Sequence, residues 1–246
     1  MAVVVATVHA SPPLIVMLGS PLLGGVVWER VAPLLRVRNR DVVIPDVTSR
    51  PPHSVAEVVD AVLGALPADR PLAVVAHSNA GNLVPGITAE RHAVAVVLVD
   101  AVLPAEPGVH PVVPTHLLAQ LTELADERGL LPPWSTWFPE DAILALGLDA
   151  GQLAELRRVE PRIPLEYLTG TLLVQDAWAR SIPGAYVSFG DVYAEERGMA
   201  ASLGWRVRTL MGAHLHLLVA PEEVAAVIDQ ELDELMGHEP PARAPE

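Results

Sequence analysis

The sequence contains no cysteine, which excludes disulfides, thiol nucleophiles and cysteine-ligated metals. A chain without cysteine suits any redox compartment, so its absence does not by itself fix a location. Positive charge is scarce: 16 Lys plus Arg stand against 30 Asp plus Glu, a formal net charge of −14. That balance disfavours a nucleic-acid partner and an anionic membrane surface, since both depend on clustered cations. The acidic excess fits a solvated exterior. No apolar run is long enough to span a bilayer. The apolar N-terminal stretch lacks a cationic region and contains His9 and Pro12-Pro13, so it reads as strands rather than a secretion signal. The expectation is a cytoplasmic protein that takes a small-molecule substrate, with no nucleic-acid and no membrane partner. A homodimer is compatible with the sequence.

What is abundant is apolar surface. With 51% hydrophobic residues in 246, one α/β domain carrying a modest insertion can bury a large core. The 24 prolines gather at junctions such as Pro51-Pro52 and Pro132-Pro133, where they mark the ends of elements.

The first hundred residues alternate strand-like and helix-like patterns. Residues 2–8 suggest a short opening strand, and Leu14–Leu18 is an apolar run stopped by Gly19. Residues 26–35 have helical spacing, 41–44 form a strand closed by Pro45-Asp46, and Val55, Val58, Val59, Val62 and Leu66 give a helical period. Residues 72–76 and 94–99 are apolar on both faces, as expected of central parallel strands covered on both sides. Such βα units imply an α/β fold with a doubly wound, mostly parallel sheet. After Pro104 the pattern turns helical, at 115–127, 139–146 and 150–159, with no strong strand until 171–174. This insertion reads as a helical cap over the strand ends, where open α/β sheets bind ligands. Strands at 185–189 and 206–210, a helix at 195–203 and a final helix from Pro221 complete the chain. The expected division is a core of 1–105 and 181–237, a cap of 106–180 and a tail of 238–246.

Ser78 follows the buried strand 72–76 and precedes a helix beginning near Gly81. Strand, tight turn and helix is the context that thrusts a nucleophilic serine above a sheet. In the Gly-x-Ser-x-Gly signature the glycine places are here Ala76 and Ala80, small enough for the close approach of strand and helix. A simple helix cap is the alternative for a serine at a turn. The backbone N–H groups of Asn79 and Ser20 are expected to hold an oxyanion, Ser20 lying in the glycine-rich loop 19–25. That loop lacks the lysine of a phosphate loop.

His214, after the last strand, is positioned to act as general base on Ser78. With His216 it could instead ligate a metal, but no third ligand is near in sequence, and no metal or cofactor is expected. Asp191 would complete the chain order Ser, Asp, His; Asp100 is the competing acid, followed by Glu195 and Glu196. His77, Leu22, Trp134, Trp137, Phe138 and Tyr167 are candidate substrate-pocket residues, and Trp178 belongs with them, although aromatics also serve as plain packing.

On these segments the chain resembles the α/β-hydrolase superfamily, especially small capped esterases and hydroxynitrile-lyase-like proteins of actinobacterial type. The resemblance runs from Leu14 to about Leu235 and is carried by Val43-Ile44-Pro45-Asp46, Ala76-His77-Ser78-Asn79-Ala80-Gly81, Val97-Leu98-Val99-Asp100-Ala101 and Gly212-Ala213-His214, with Pro221-Glu222-Glu223-Val224 beginning seven residues beyond the histidine. It implies Ser78 as nucleophile and His214 as base. The chain departs from the family at Leu18-Gly19, where His-Gly is frequent, and at Val192, which stands where the family's acid usually falls. The implied activity is serine hydrolysis of an ester, thioester or lactone of a small, largely apolar metabolite through an acyl-enzyme. Lyase, cyclase or acyl-transfer chemistry on the same fold is the alternative, and a non-catalytic binding homologue is a third.

Overall fold

The computed structural model describes residues 12–175 and 177–237. The expected opening strand at 2–8 and the tail 238–246 lie outside the described residues. Among the described residues the main sheet has six strands, β1 (Leu14–Leu18), β2 (Val42–Val43), β3 (Leu72–Ser78), β4 (Ala93–Ala101), β7 (Gly184–Ser188) and β8 (Arg206–Thr209), in the order β2-β1-β3-β4-β7-β8. Every pairing in it is parallel. β3 is buried at all seven positions, which is why its sequence shows no polar alternation.

From β1 the chain steps outward to β2, then returns past β1 to β3 and on to β4. With right-handed crossovers, that reversal puts the intervening helices on opposite faces and opens a crevice at the carboxyl ends of β1 and β3. Helix Val31–Val37 packs against the closing helix Pro221–Gly237, while Val55–Gly64 packs against Val84–Glu90. Ser54 caps Val55–Gly64 by accepting from the Glu57 N–H at 3.2 Å, satisfying one of the orphan donors of that helix end. On the closing helix, the buried Glu231 carboxylate receives Arg206 and Arg208 of β8, each at 2.6 Å.

Short helices at Leu118–Leu124, Glu140–Leu144, Ala150–Val159, Leu165–Thr169 and Trp178–Ser181 fill the inserted cap region between β4 and β7. Residues 171–174 do form a strand, β6 (Thr171–Val174), but not in the main sheet. It pairs antiparallel with β5 (Gly108–Pro111), a strand whose residues show no strand pattern. The cap shares one core with the sheet: Leu131, Ile143, Leu153, Leu156 and Tyr167 are buried in the same cluster as β3 and β4.

Candidate active site

β3 ends on Ser78, and the chain turns at once into a 3-10 turn, Asn79–Leu83, and then a helix, Val84–Glu90. Ser78 has φ 60° and ψ −132°, left-handed territory that costs a residue with a Cβ about 1–3 kcal/mol. The turn is held from outside, the Val102 N–H donating to the Ser78 carbonyl at 3.2 Å. Ala76 and Ala80 are fully buried and fit the two glycine places. The close approach falls one residue later: a Cβ on Gly81 would lie 1.9 Å from the Val102 carbonyl oxygen. The need for glycine is therefore met at Gly81, with the backbone of the β4 end pressed against it.

His214 lies in the loop after β8. Its Nε2 is 3.0 Å from Ser78 Oγ, and its Nδ1 is 2.7 Å from Asp100 Oδ2. Asp100 sits at a bulge. His77 pairs with Val99 and Ser78 with Ala101, leaving Asp100 as the extra residue, with φ 44°. A bulge re-aims a side chain, and this one turns the carboxylate toward the loops. Its other oxygen accepts the Phe189 N–H at 3.1 Å. The Tyr186 hydroxyl clamps the next residue, donating to the Ala101 carbonyl at 2.7 Å and accepting from its N–H at 3.1 Å. Burial raises the Tyr186 pKa, which keeps that clamp protonated. Ser78, His214 and Asp100 are 5%, 7% and 1% exposed.

Asp191, expected as the acid, is not brought to the histidine. Its side chain is 89% exposed and pairs with Arg197 at 3.0 Å. Arg197 also donates to the Gly190 carbonyl at 2.8 Å, so the guanidinium pins the loop with Asp191 facing water. The carboxylate on His214 is the competitor, Asp100. Val192 and Glu195 are exposed as well. Glu196 is half-buried, and burial raises its pKa.

His77, expected in the pocket, is fully buried behind the site. Its ring stacks on His214 with centroids 4.7 Å apart and meets Trp28 edge-on, and its Nε2 bonds the His214 carbonyl at 3.0 Å. Burial lowers its pKa to about 3, so the ring is neutral, and a neutral imidazole bonded to a carbonyl through Nε2 must donate from that atom. It supports His214 from beneath. His216 bonds Glu223 at 2.9 Å, and among the described residues no group of three or more potential ligands could hold a metal ion.

β1 and β3 pair in register at Leu18 and Ala76, so Ser20 and Ser78 each stand two residues beyond the same rung. The Ser20 hydroxyl accepts the Leu22 N–H, and its carbonyl accepts from Leu23 and Gly24, folding the loop into a tight turn. Gly19 allows this, because a Cβ there would lie 2.1 Å from the Gly24 carbonyl oxygen. Leu22 is buried in the same turn. The Asn79 side chain is fixed to the cap, donating to the Val112 carbonyl at 3.1 Å and accepting from the Tyr167 hydroxyl at 2.8 Å. Tyr167 is thus a fully buried cap anchor and lines no open pocket.

Trp134 comes within 6.2 Å of the His214 ring and meets Phe138 at 5.9 Å. The turn that carries it is pinned by Glu160, whose buried carboxylate accepts from both the N–H and the hydroxyl of Ser135. Trp137 is half-buried and tied to the Pro132 carbonyl within the cap, and Trp178 packs on Trp205 and bonds Pro104. Tyr193 is a site residue that the sequence pattern missed. Its hydroxyl lies 3.5 Å from Ser78 Oγ, and its ring centroid lies 5.5 Å from that of His214. Its position one residue past Val192, the family's usual acid place, was the available signal. Two surface cavities, of about 450 Å³ beside Asp46, Arg50 and Glu57 and about 310 Å³ beside Gly25, Ile44 and Val159, include none of these residues in their linings.

The fold aligns with solved structures at low identity. An extracellular α/β-hydrolase from a Paenibacillus species matches with a TM-score of 0.71 and 15% identity, over 89% of this chain and 99% of that one. Polyneuridine aldehyde esterase matches with a TM-score of 0.68 and 16% identity, over 90% and 99%. A tomato methylketone synthase I variant, complexed with β-ketoheptanoate, matches with a TM-score of 0.64 and 10% identity, over 91% and 99%. A search of curated proteins by sequence found no match. The family described as "Alpha/beta hydrolase family" matches residues 10–227, most of the chain. With that match, and with a parallel sheet that presents Ser78 on a strained turn, the chain belongs to the alpha/beta hydrolase family.

Proposed function

We propose that this protein is a serine hydrolase that cleaves an ester, thioester or lactone of a small, largely apolar metabolite through an acyl-enzyme, with Ser78, His214 and Asp100 as its triad. The observation that carries this reading is the pair of hydrogen bonds running from Ser78 Oγ to His214 Nε2 at 3.0 Å and from His214 Nδ1 to Asp100 Oδ2 at 2.7 Å. Ser78 Oγ attacks the carbonyl carbon while His214 Nε2 takes its proton. Asp100 holds the tautomer and stabilises the imidazolium. The Asn79 and Ser20 amides hold the oxyanion. His214 returns the proton to the leaving oxygen, and water then releases the acid by the same route. Residues 106–180 act as the cap, with Trp134 and Phe138 giving the site its apolar side. Polyneuridine aldehyde esterase, by name an esterase, is a fold neighbour consistent with this chemistry.

A fluorophosphonate probe tests the nucleophile. Labelling is expected on Ser78 and abolished by Ser78→Ala, which should lower kcat on short-chain esters by about 10⁶-fold. An unlabelled wild-type protein would sink the proposal. The second reading, lyase or acyl-transfer chemistry on the same Ser and His, is prompted by the methylketone synthase fold match. Labelling of Ser78 without turnover of any ester in a short-chain panel would favour it.

A further inference from the structure

Tyr193 is the polar side chain of the site that the mechanism above leaves without a task. It follows β7, and the partner of its hydroxyl is Ser78 Oγ, the atom that also meets His214 Nε2. Strand order fixes which flank of the serine it occupies. Ser20 is carried at the end of β1, on one side of β3, whereas Tyr193 follows β7, on the far side of β3 and β4. The tyrosine thus stands across the serine from the Ser20 amide. In a tetrahedral intermediate the oxyanion and the leaving oxygen occupy different corners, and the leaving oxygen must lie within reach of the histidine Nε2. A hydroxyl that shares Ser78 Oγ with His214 and packs beside its ring is on that second corner. Burial pushes the Tyr193 pKa up to about 12, so the group remains a neutral O–H donor at working pH.

We propose that Tyr193 is a catalytic residue that donates a second hydrogen bond to the departing oxygen, and so suits the site to esters of basic, unactivated alcohols. The inference rests on Ser78 being the nucleophile. The bond from Ser78 Oγ to the acyl carbon forms and the bond to the leaving oxygen breaks. The serine proton travels through His214 Nε2 to that oxygen, and Tyr193 keeps its own proton throughout. Its hydrogen bond matters most where the departing oxygen carries the most negative charge, and least for a leaving group already stable as an anion.

The test uses diaryl alkylphosphonates bearing p-nitrophenoxide, phenoxide or p-methoxyphenoxide, each expelled when Ser78 Oγ attacks phosphorus. Inactivation rates are compared between wild type and Tyr193→Phe, which removes one oxygen and keeps the ring. The expected loss is about tenfold or more for p-methoxyphenoxide and under about twofold for p-nitrophenoxide. An equal loss across the series, or none, overturns the role of Tyr193 while leaving Ser78 as nucleophile. No modification of wild-type Ser78 by any of the three overturns both. Should Tyr193→Phe fail to fold, Tyr193→Gln, which keeps a donor, compared with Tyr193→Met, which does not, gives the same discrimination.

Discussion

An aspartate stands at the carboxyl end of β4, within the strand, and another in the loop after β7, and only the first meets the histidine. Asp100 is 1% exposed, sits at a bulge with φ 44°, and divides its two oxygens between the Phe189 N–H and His214 Nδ1. Asp191 is 89% exposed and shares a surface pair with Arg197. Residue type and chain order are satisfied by both. The difference is desolvation: a buried carboxylate that accepts two hydrogen bonds is fixed and interacts strongly, whereas an exposed ion pair is screened and worth little.

The sharpest way to break this comparison is Asp100→Asn. Asparagine tolerates the positive φ but presents the wrong partner to His214, and kcat should fall by about 10⁴-fold with folding retained. A loss below tenfold, measured by steady-state ester turnover, would remove Asp100 from the triad. Next in size is Gly81→Ala, whose Cβ would press into the β4 end at the Val102 carbonyl. Urea unfolding should show a loss of about 1–3 kcal/mol, because backbone cannot swing aside as a flexible side chain can. An unchanged midpoint would mean that the β3 and β4 ends are looser than their contact implies.

His77 gives a pH dependence of defined sign. Its folded pKa of about 3 lies below the ordinary value of 6.5, so the unfolded chain binds the proton first. Stability from this residue is present above about pH 6.5 and is lost as pH falls toward about 3, at up to about 1.4 kcal/mol per pH unit. His77→Phe should therefore flatten the acid limb of the stability curve relative to wild type. Parallel limbs would show that His77 takes up its proton in the folded state. The smallest effect belongs to the other aspartate: Asp191→Asn should leave kcat within about twofold and cost under about 1 kcal/mol. A larger drop in kcat would restore Asp191 to the site.

Much of this was legible from the chain. The strands at β1, β3, β4 and β7 follow from apolar runs ended by polar or glycine residues, because a strand buried on both faces must be apolar throughout, whereas β8, with Arg206 and Arg208, lies half-buried to exposed at the sheet edge. Ser78 and His214 followed from their places at the end of β3 and after β8, since sequence position fixes which strand end a residue crowns. β5 was missed because Gly108–Pro111 has no alternating pattern and pairs only through β6, at long range.

The sequence by itself determined a doubly wound sheet with a serine and a histidine above its carboxyl edge, since local periodicity and chain order are short-range properties. Only the tertiary structure decided which carboxylate meets His214. The choice depends on a one-residue slip between β3 and β4 that turns Asp100 toward His214, and on an arginine in the following helix that holds Asp191 in water. It likewise decided that Tyr193 reaches Ser78 while His77, its neighbour in sequence, lies behind the site. Those outcomes depend on register, burial and the approach of residues more than a hundred positions apart, which no local pattern encodes.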